Sequence, residues 1–127
     1  MAQPEVVAVL VEVPRGSFLK RELRDGAMAL DYVSPLPSPF NYGCVPDSLA
    51  ADGDPLDVVV LGPRLALGAR VDLPVRGVVR FDDAGQRDDK LVASREPPTA
   101  WQRWQVERFF SAYAHARQLL NRLGGLG

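Results

Sequence analysis

The stretch "DGDPLDVVVLGP", residues 52 to 63, sets three carboxylates, Asp52, Asp54 and Asp57, around Pro55 and directly ahead of the apolar run Val58-Val59-Val60-Leu61. It closes on Gly62-Pro63. A short apolar run bounded by turn residues reads as a buried strand, and here the strand is entered from an acidic loop. Upstream, "VVAVLVEVP" (6 to 14) is another β-rich run, closed by Pro14. "RGSFLKRELRDGAMALDYV" (15 to 33) predicts two short strands turning at Asp25-Gly26, a pair that favours a tight hairpin. "SPLPSPFNYGCVPDSLAADGDP" (34 to 55) reads as loop, because Pro35, Pro37, Pro39 and Pro46 break a helix or a central strand.

Downstream, "ARVDLPVRGVVRFDD" (69 to 83) supplies one or two strands and "DKLVAS" (89 to 94) another, with Ala84-Gly85 marking a turn between them. Short strands in succession, punctuated by Gly and Pro, suggest a small closed barrel. From Thr99 the texture changes. "TAWQRWQVERFFSAYAHARQLLNRLGG" has apolar residues at Trp101, Trp104, Phe109, Tyr113 and Leu120 among charged ones, and Gly124-Gly125 as a stop. The expected fold is mainly β: a closed barrel of about five strands with one C-terminal helix packed on it. Trp101 and Trp104 are expected to pack that helix onto the barrel.

A chain of 127 residues predicts one domain, residues 1 to 127. Its 46% apolar and 24% charged residues are the balance of a soluble globular protein. No run approaches the roughly 18 apolar residues of a spanning helix. The first residues lack a basic region and carry Glu5 and Glu12, so no signal peptide is expected and the cytoplasm is the expected compartment. A net charge of −1 gives no general basic field, so neither nucleic acid nor a membrane is an expected partner. Cys44 is the only cysteine and His115 the only histidine, which excludes a disulfide, a cysteine-cluster zinc site and a multi-histidine zinc site. A metal bound here must be held by carboxylates, which points to a hard cation such as Mg²⁺ or Mn²⁺.

Asp52, Asp54 and Asp57 have three readings. Asp and Gly with Pro55 make an ordinary solvated turn. A helix–loop–helix calcium site lacks its sixth-position glycine and closing glutamate. A Mg²⁺ cluster for phosphoryl chemistry requires a second acidic group, and "FDDAGQRDDK" (81 to 90) offers Asp82, Asp83, Asp88 and Asp89 ahead of Lys90. Strand ends in a small barrel can bring two such loops face to face. Lys20 and Glu22 share a strand face by the period of two, and lysines near clustered aspartates suit a bound phosphate. His115 is expected at the surface, and Cys44 as a small buried residue.

These residues resemble soluble family I inorganic pyrophosphatases. "DGDPLDV" is similar to the family's aspartate signature, "VEVPRGSFLKRELRDGAMALDY" to its opening hairpin, "PFNYGCVPDSLAADGDPLDVVVLGP" to its Asn-Tyr-Gly segment, "VRGVVRFDDAGQRDDKLVA" to its second acidic loop, and "RFFSAYA" to the start of its helix. The likeness covers roughly residues 9 to 116. It implies a five-stranded, OB-like barrel and Mg²⁺-dependent hydrolysis of pyrophosphate to two phosphates, with Mn²⁺ as an alternative ion and a homo-oligomer left open.

By the same resemblance, Asp52, Asp57 and Asp88 would hold a first metal, with Asp57 bridging to a second. Asp82 and Asp88 would hold metal on the substrate side, with Asp83 nearby and Glu12 in an outer position. Asp54 would be the base for the attacking water. Lys20, Tyr42, Lys90 and Tyr113 would contact phosphate oxygens, supported by Glu22. The choice of Asp88 over Asp89 rests on the spacing to Lys90. The chain departs from the family at Tyr32, where the family has Arg, at Ala114, where it has Lys, and at Ser38, where it has Tyr. Arg117, four residues after Tyr113, shares its helix face and could compensate. Two other readings therefore accompany the hydrolase: a non-catalytic relative binding metal and a phosphorylated ligand, and a hydrolase of organic diphosphates.

Overall fold

The structure is a computed structural model and describes residues 5–34, 36–48, 55–80, 82–83 and 86–124. In chain order the elements are β1 (Val6–Val13), β2 (Leu19–Arg24), β3 (Ala27–Val33), β4 (Asn41–Val45), β5 (Leu56–Val60), β6 (Arg70–Val79), β7 (Asp82–Asp83), β8 (Gln86–Arg87), β9 (Lys90–Ala93) and α1 (Ala100–Gly124). Five of the strands close into a barrel in the order β1-β4-β5-β9-β6, with β6 returning to β1. Only the β5–β9 pair among these is parallel. The expected mainly β barrel with one C-terminal helix is the observed architecture.

The apolar run of β5 explains how barrel and helix share one core. Side chains alternate across a strand. Val58 and Val60 join Val9, Leu73 and Ala93 in one buried cluster. Val59 and Leu61 join Phe40, Val92, Val106 and Phe110 in another, on the side covered by α1. A strand buried on both faces has no polar position to alternate with, so it reads as a continuous hydrophobic run. Each of these valines contributes roughly 1.5–3 kcal/mol through its burial.

Two expectations are corrected. The proline-rich segment from 34 to 55 is not all loop, since Asn41–Val45 is β4, a wall of the barrel. None of its prolines falls within those five residues, the nearest being Pro39 and Pro46, so no ladder hydrogen bond is lost. Trp101 and Trp104 do not pack the helix onto the barrel. They are 63% and 50% exposed and stack on each other at 4.9 Å with their planes 19° apart. The face that docks is Val106, Phe109, Phe110, Tyr113 and Ala114. Trp104 precedes Val106 by two residues, about 200° around the helix.

Other local signals hold. Asp25 and Gly26 have φ of 51° and 80°, the left-handed pair that a two-residue hairpin needs; they join β2 to β3, which pair outside the barrel. Residues 69–83 give two strands, the long β6 with a register shift between Val75 and Gly77 and the short β7. Ala84-Gly85 lies outside the described residues, but β7 and β8 on either side of it pair antiparallel. Thr99 and Gln102 cap α1 reciprocally: Gln102 N–H donates to Thr99 Oγ1 at 3.1 Å and Thr99 N–H to Gln102 Oε1 at 3.0 Å. The helix runs through Gly124, and Gly125 lies outside the described residues. No described helix is long and apolar enough to cross a membrane.

The start of β4 is fixed by Asn41, which is fully buried. Its Oδ1 accepts from the backbone N–H of Arg15 and of Leu65, both at 2.9 Å, and its Nδ2 donates to the Pro63 carbonyl at 2.8 Å. One amide thus ties the ends of β1 and β5 together. Two positions further, Gly43 crosses β1 so closely that a Cβ would run into the Leu10 carbonyl oxygen. Replacing Asn41 with Ala is expected to lower stability by roughly 3 kcal/mol, because buried backbone groups lose their partners. Urea unfolding measures this, and a loss below about 1 kcal/mol would show that water replaces those bonds.

Candidate active site

Asp57 sits one residue into β5, at the end of the strand from which the acidic loop enters. Lys90 opens the neighbouring strand β9, and Asp88 lies two residues before it. The Lys90 ammonium reaches Oδ2 of Asp57 and Oδ2 of Asp88, each at 2.7 Å. The lysine side chain is only 7% exposed. Burial pulls its pKa down, but the two carboxylates outweigh this and raise it above the ordinary value, so Lys90 stays charged. The neighbouring Asp89 pairs with Arg87 at 2.9 Å. The two adjacent acids therefore have different partners, Asp88 the buried Lys90 and Asp89 the exposed Arg87.

Glu12 and Tyr42 border the same centre. Glu12 is 3% exposed, and Oε2 accepts the Leu23 N–H at 2.6 Å, which ties the hairpin to the barrel. The Cys44 thiol also hydrogen-bonds to Glu12. Burial, reinforced by Asp57 and Glu22 and partly opposed by the Leu23 hydrogen bond, pushes the Glu12 carboxyl up to about 7. Cys44 is buried, as expected. Burial, Glu12 and Asp57 push its thiol up to about 12, which leaves it a protonated donor and an inert nucleophile. Burial followed by the fields of Asp57 and Asp88 holds the Tyr42 phenol well above its usual range, so it too remains a donor. Tyr113 acts on Tyr42 electrostatically and stacks against Phe109 at 6.3 Å.

The other expected site residues are placed less centrally. Lys20 is half-buried on β2, and burial lowers its pKa; it makes no ion pair among the described residues. Glu22, on the same strand face, is engaged by Arg24 at 3.0 Å, and Arg24 also reaches Asp31 at 3.2 Å. Asp82 is exposed on β7 and lines a groove between β6 and α1. Asp52 and Asp54 lie outside the described residues, as do the side chains of Asp83, Tyr32 and Arg117. Ser38 is buried and structural: its Oγ donates to the Phe40 carbonyl at 2.7 Å. Ala114 packs on the apolar cluster under the helix. His115 is exposed, as expected.

Among the described residues, no three His, Cys, Asp or Glu side chains are gathered closely enough to hold a metal ion. Asp57 and Asp88, already drawn to one cation, and Glu12 beside them supply the hard oxygen donors that Mg²⁺ or Mn²⁺ prefers. The chemistry of the donor set fits such an ion. Without metal, the raised Glu12 makes stability depend on pH. Its proton is held more tightly folded than unfolded, so its contribution is present below about 4.5 and is lost as pH rises through about 7. In chelator, Glu12→Gln should gain on the parent protein by up to about 3 kcal/mol between pH 4.5 and 8. Parallel stability curves for the two proteins would show that Glu12 is not buried as a neutral acid.

The family model described as inorganic pyrophosphatase matches residues 9–121. The inorganic pyrophosphatase of Sulfolobus acidocaldarius is 41% identical over 95 residues, which cover 71% of this chain and 55% of that protein. That of Xanthomonas campestris pv. campestris is 35% identical over 122 residues, covering 91% of this chain and 63% of the relative. The crystal structure of inorganic pyrophosphatase from Thermus thermophilus superposes with a TM-score of 0.76 at 32% identity, covering 96% of this chain and 78% of that one. The chain thus spans between half and two thirds of the length of these two curated relatives. A five-stranded barrel that carries Asp57, Asp88 and Lys90 at one mouth, matched over most of its length in this way, belongs to the inorganic pyrophosphatase family.

Proposed function

We propose that this chain hydrolyses inorganic pyrophosphate to two phosphates with the help of Mg²⁺ or Mn²⁺, as a single domain over residues 1–127 working in the cytoplasm. The observation that carries this is the buried Lys90 ammonium held between Asp57 and Asp88, with protonated Tyr42 beside it. Such a site offers acids for a cation and donors for phosphate oxygens within one strand-end cluster. Asp57, Asp88 and Asp52 would hold the ion, joined by Asp82, with Asp83 and Glu12 in support. When bound, the ion would supply positive charge against the phosphate oxygens and make a water more acidic.

The residues of the chain do the rest. Asp54 accepts a proton from the attacking water, whose oxygen bonds to one phosphorus while the bridging P–O bond breaks. Lys90, Lys20, Tyr42 and Tyr113 donate to the phosphate oxygens and stabilise charge on the transferred group. Glu22 supports the hairpin near Lys20 by holding Arg24, which reaches across to Asp31 on β3. Burial lowers the Lys20 pKa and so eases transfer of its proton.

A second reading draws on Ala114. The resemblance puts a lysine there, and this chain has a methyl group packed on the apolar cluster. A missing charge-assisted contact costs roughly 1.5–3 kcal/mol, so the site could bind metal and a phosphorylated ligand without cutting it. Phosphate release from pyrophosphate separates the two: turnover in Mg²⁺ that vanishes in chelator supports the hydrolase. Asp54→Asn should then cut the rate by about 100-fold or more with an unchanged circular-dichroism spectrum. Full turnover by that variant removes Asp54 as the base. Binding of pyrophosphate by calorimetry without phosphate release supports the second reading.

A further inference from the structure

Between β6 and the docked face of α1 runs a groove of about 610 Å³, within the size range of sites that enclose small organic molecules. Its floor is apolar, built from Val79, Val106 and Phe110. Arg80 and Arg103 stand exposed on its rim and make no ion pair among the described residues. Asp82 and Ala114 both line it. Asp82 is the acid proposed above for the substrate side, and Ala114 follows Tyr113 directly. The groove therefore leads away from the proposed reaction centre. Arg76 on its wall is held by the Ser94 and Arg95 carbonyls, while Arg80 and Arg103, with Glu107 also lining the groove, pair with no carboxylate among the described residues and offer charge to an anionic ligand.

We infer that the site accepts nucleoside 5′-diphosphates as well as pyrophosphate, the nucleoside lying in this groove. A base laid on Val79 and Phe110 buries its faces against apolar atoms, and its edge meets the polar rim. An arginine guanidinium can both stack on such a ring and bond a phosphate oxygen, which suits Arg80 and Arg103. The small Ala114 side chain takes up little of the groove beside the reaction centre. The inference rests on the proposed hydrolase. Water attacks the terminal phosphorus, the bond from that phosphorus to the bridging oxygen breaks, and the nucleoside monophosphate leaves with that oxygen. Inorganic phosphate and one proton are the other products.

The full chain in Mg²⁺ is assayed for phosphate release from ADP, UDP and pyrophosphate in parallel. Turnover of both nucleotides is expected, abolished by chelator. Ser111 is exposed and lines the groove, so Ser111→Trp should fill it without touching the core. This variant and Arg80→Gln should each lower the ratio of kcat/KM for ADP to that for pyrophosphate at least tenfold, through KM. Pyrophosphate turnover with no release from ADP or UDP overturns the inference and leaves the hydrolase standing. Nucleotide turnover with an unaltered ratio in both variants also overturns it. Absence of turnover on all three substrates brings down the hydrolase and the inference together.

Discussion

A lysine ammonium that is only 7% exposed is tolerable only if charge opposes it. Lys90 meets that condition through Asp57 and Asp88. Removing one partner of such a buried group costs about 3–5 kcal/mol, because the remaining charge is left uncompensated. The constraint acts across elements: Asp57 belongs to β5, Lys90 to β9, and Asp88 to the loop that leads into β9. The parallel β5–β9 pairing sets Val58 opposite Leu91 and so brings Asp57 alongside Lys90. Asp57, Asp88 and the β5–β9 closure of the barrel are therefore one arrangement, with the Lys90 cation as its keystone.

The barrel supports that arrangement from below. β5 is apolar on both faces, so its one ionisable residue, Asp57, can sit only near the end, where the side chain is 29% exposed. Asn41 locks the chain segments that flank the other end of the same strand. Glu12 and Cys44 extend the polar region into β1 and β4 as hydrogen-bonded groups, which is how a barrel wall carries polar atoms at low cost. The result is a cluster of donors and acids over an apolar base.

Much of this was legible in the residues, for identifiable reasons. The run 58–61 reads as a buried strand because its apolar stretch is bounded by Gly62 and by Asp57, and the Asp25-Gly26 turn is legible because its left-handed backbone selects those residue types. β4 escaped because prolines on both sides mask a five-residue strand whose own positions are free of them. The tryptophans misled because size suggests burial, whereas the helix phase that decides it is set by Val106, Phe110 and Ala114. The cluster of Lys90, Asp57 and Asp88 was legible as a set of site residues. That the lysine bridges the acids depends on β5–β9 register, which no local pattern encodes. The hydrogen bond from Cys44 to Glu12 is equally non-local, joining residues 32 positions apart on neighbouring strands.

Both tryptophans of the chain stand on the first turns of α1, outside the core and stacked on each other. Intrinsic tryptophan fluorescence therefore reports on the solvent-facing side of one helix and not on the barrel. Fraying of the N-terminal end of α1 would change the emission while the five strands stayed closed, and a barrel that loosened beneath a docked helix would pass unseen. For this chain, agreement between fluorescence and a backbone probe such as circular dichroism is a direct test of whether helix and barrel melt as one unit.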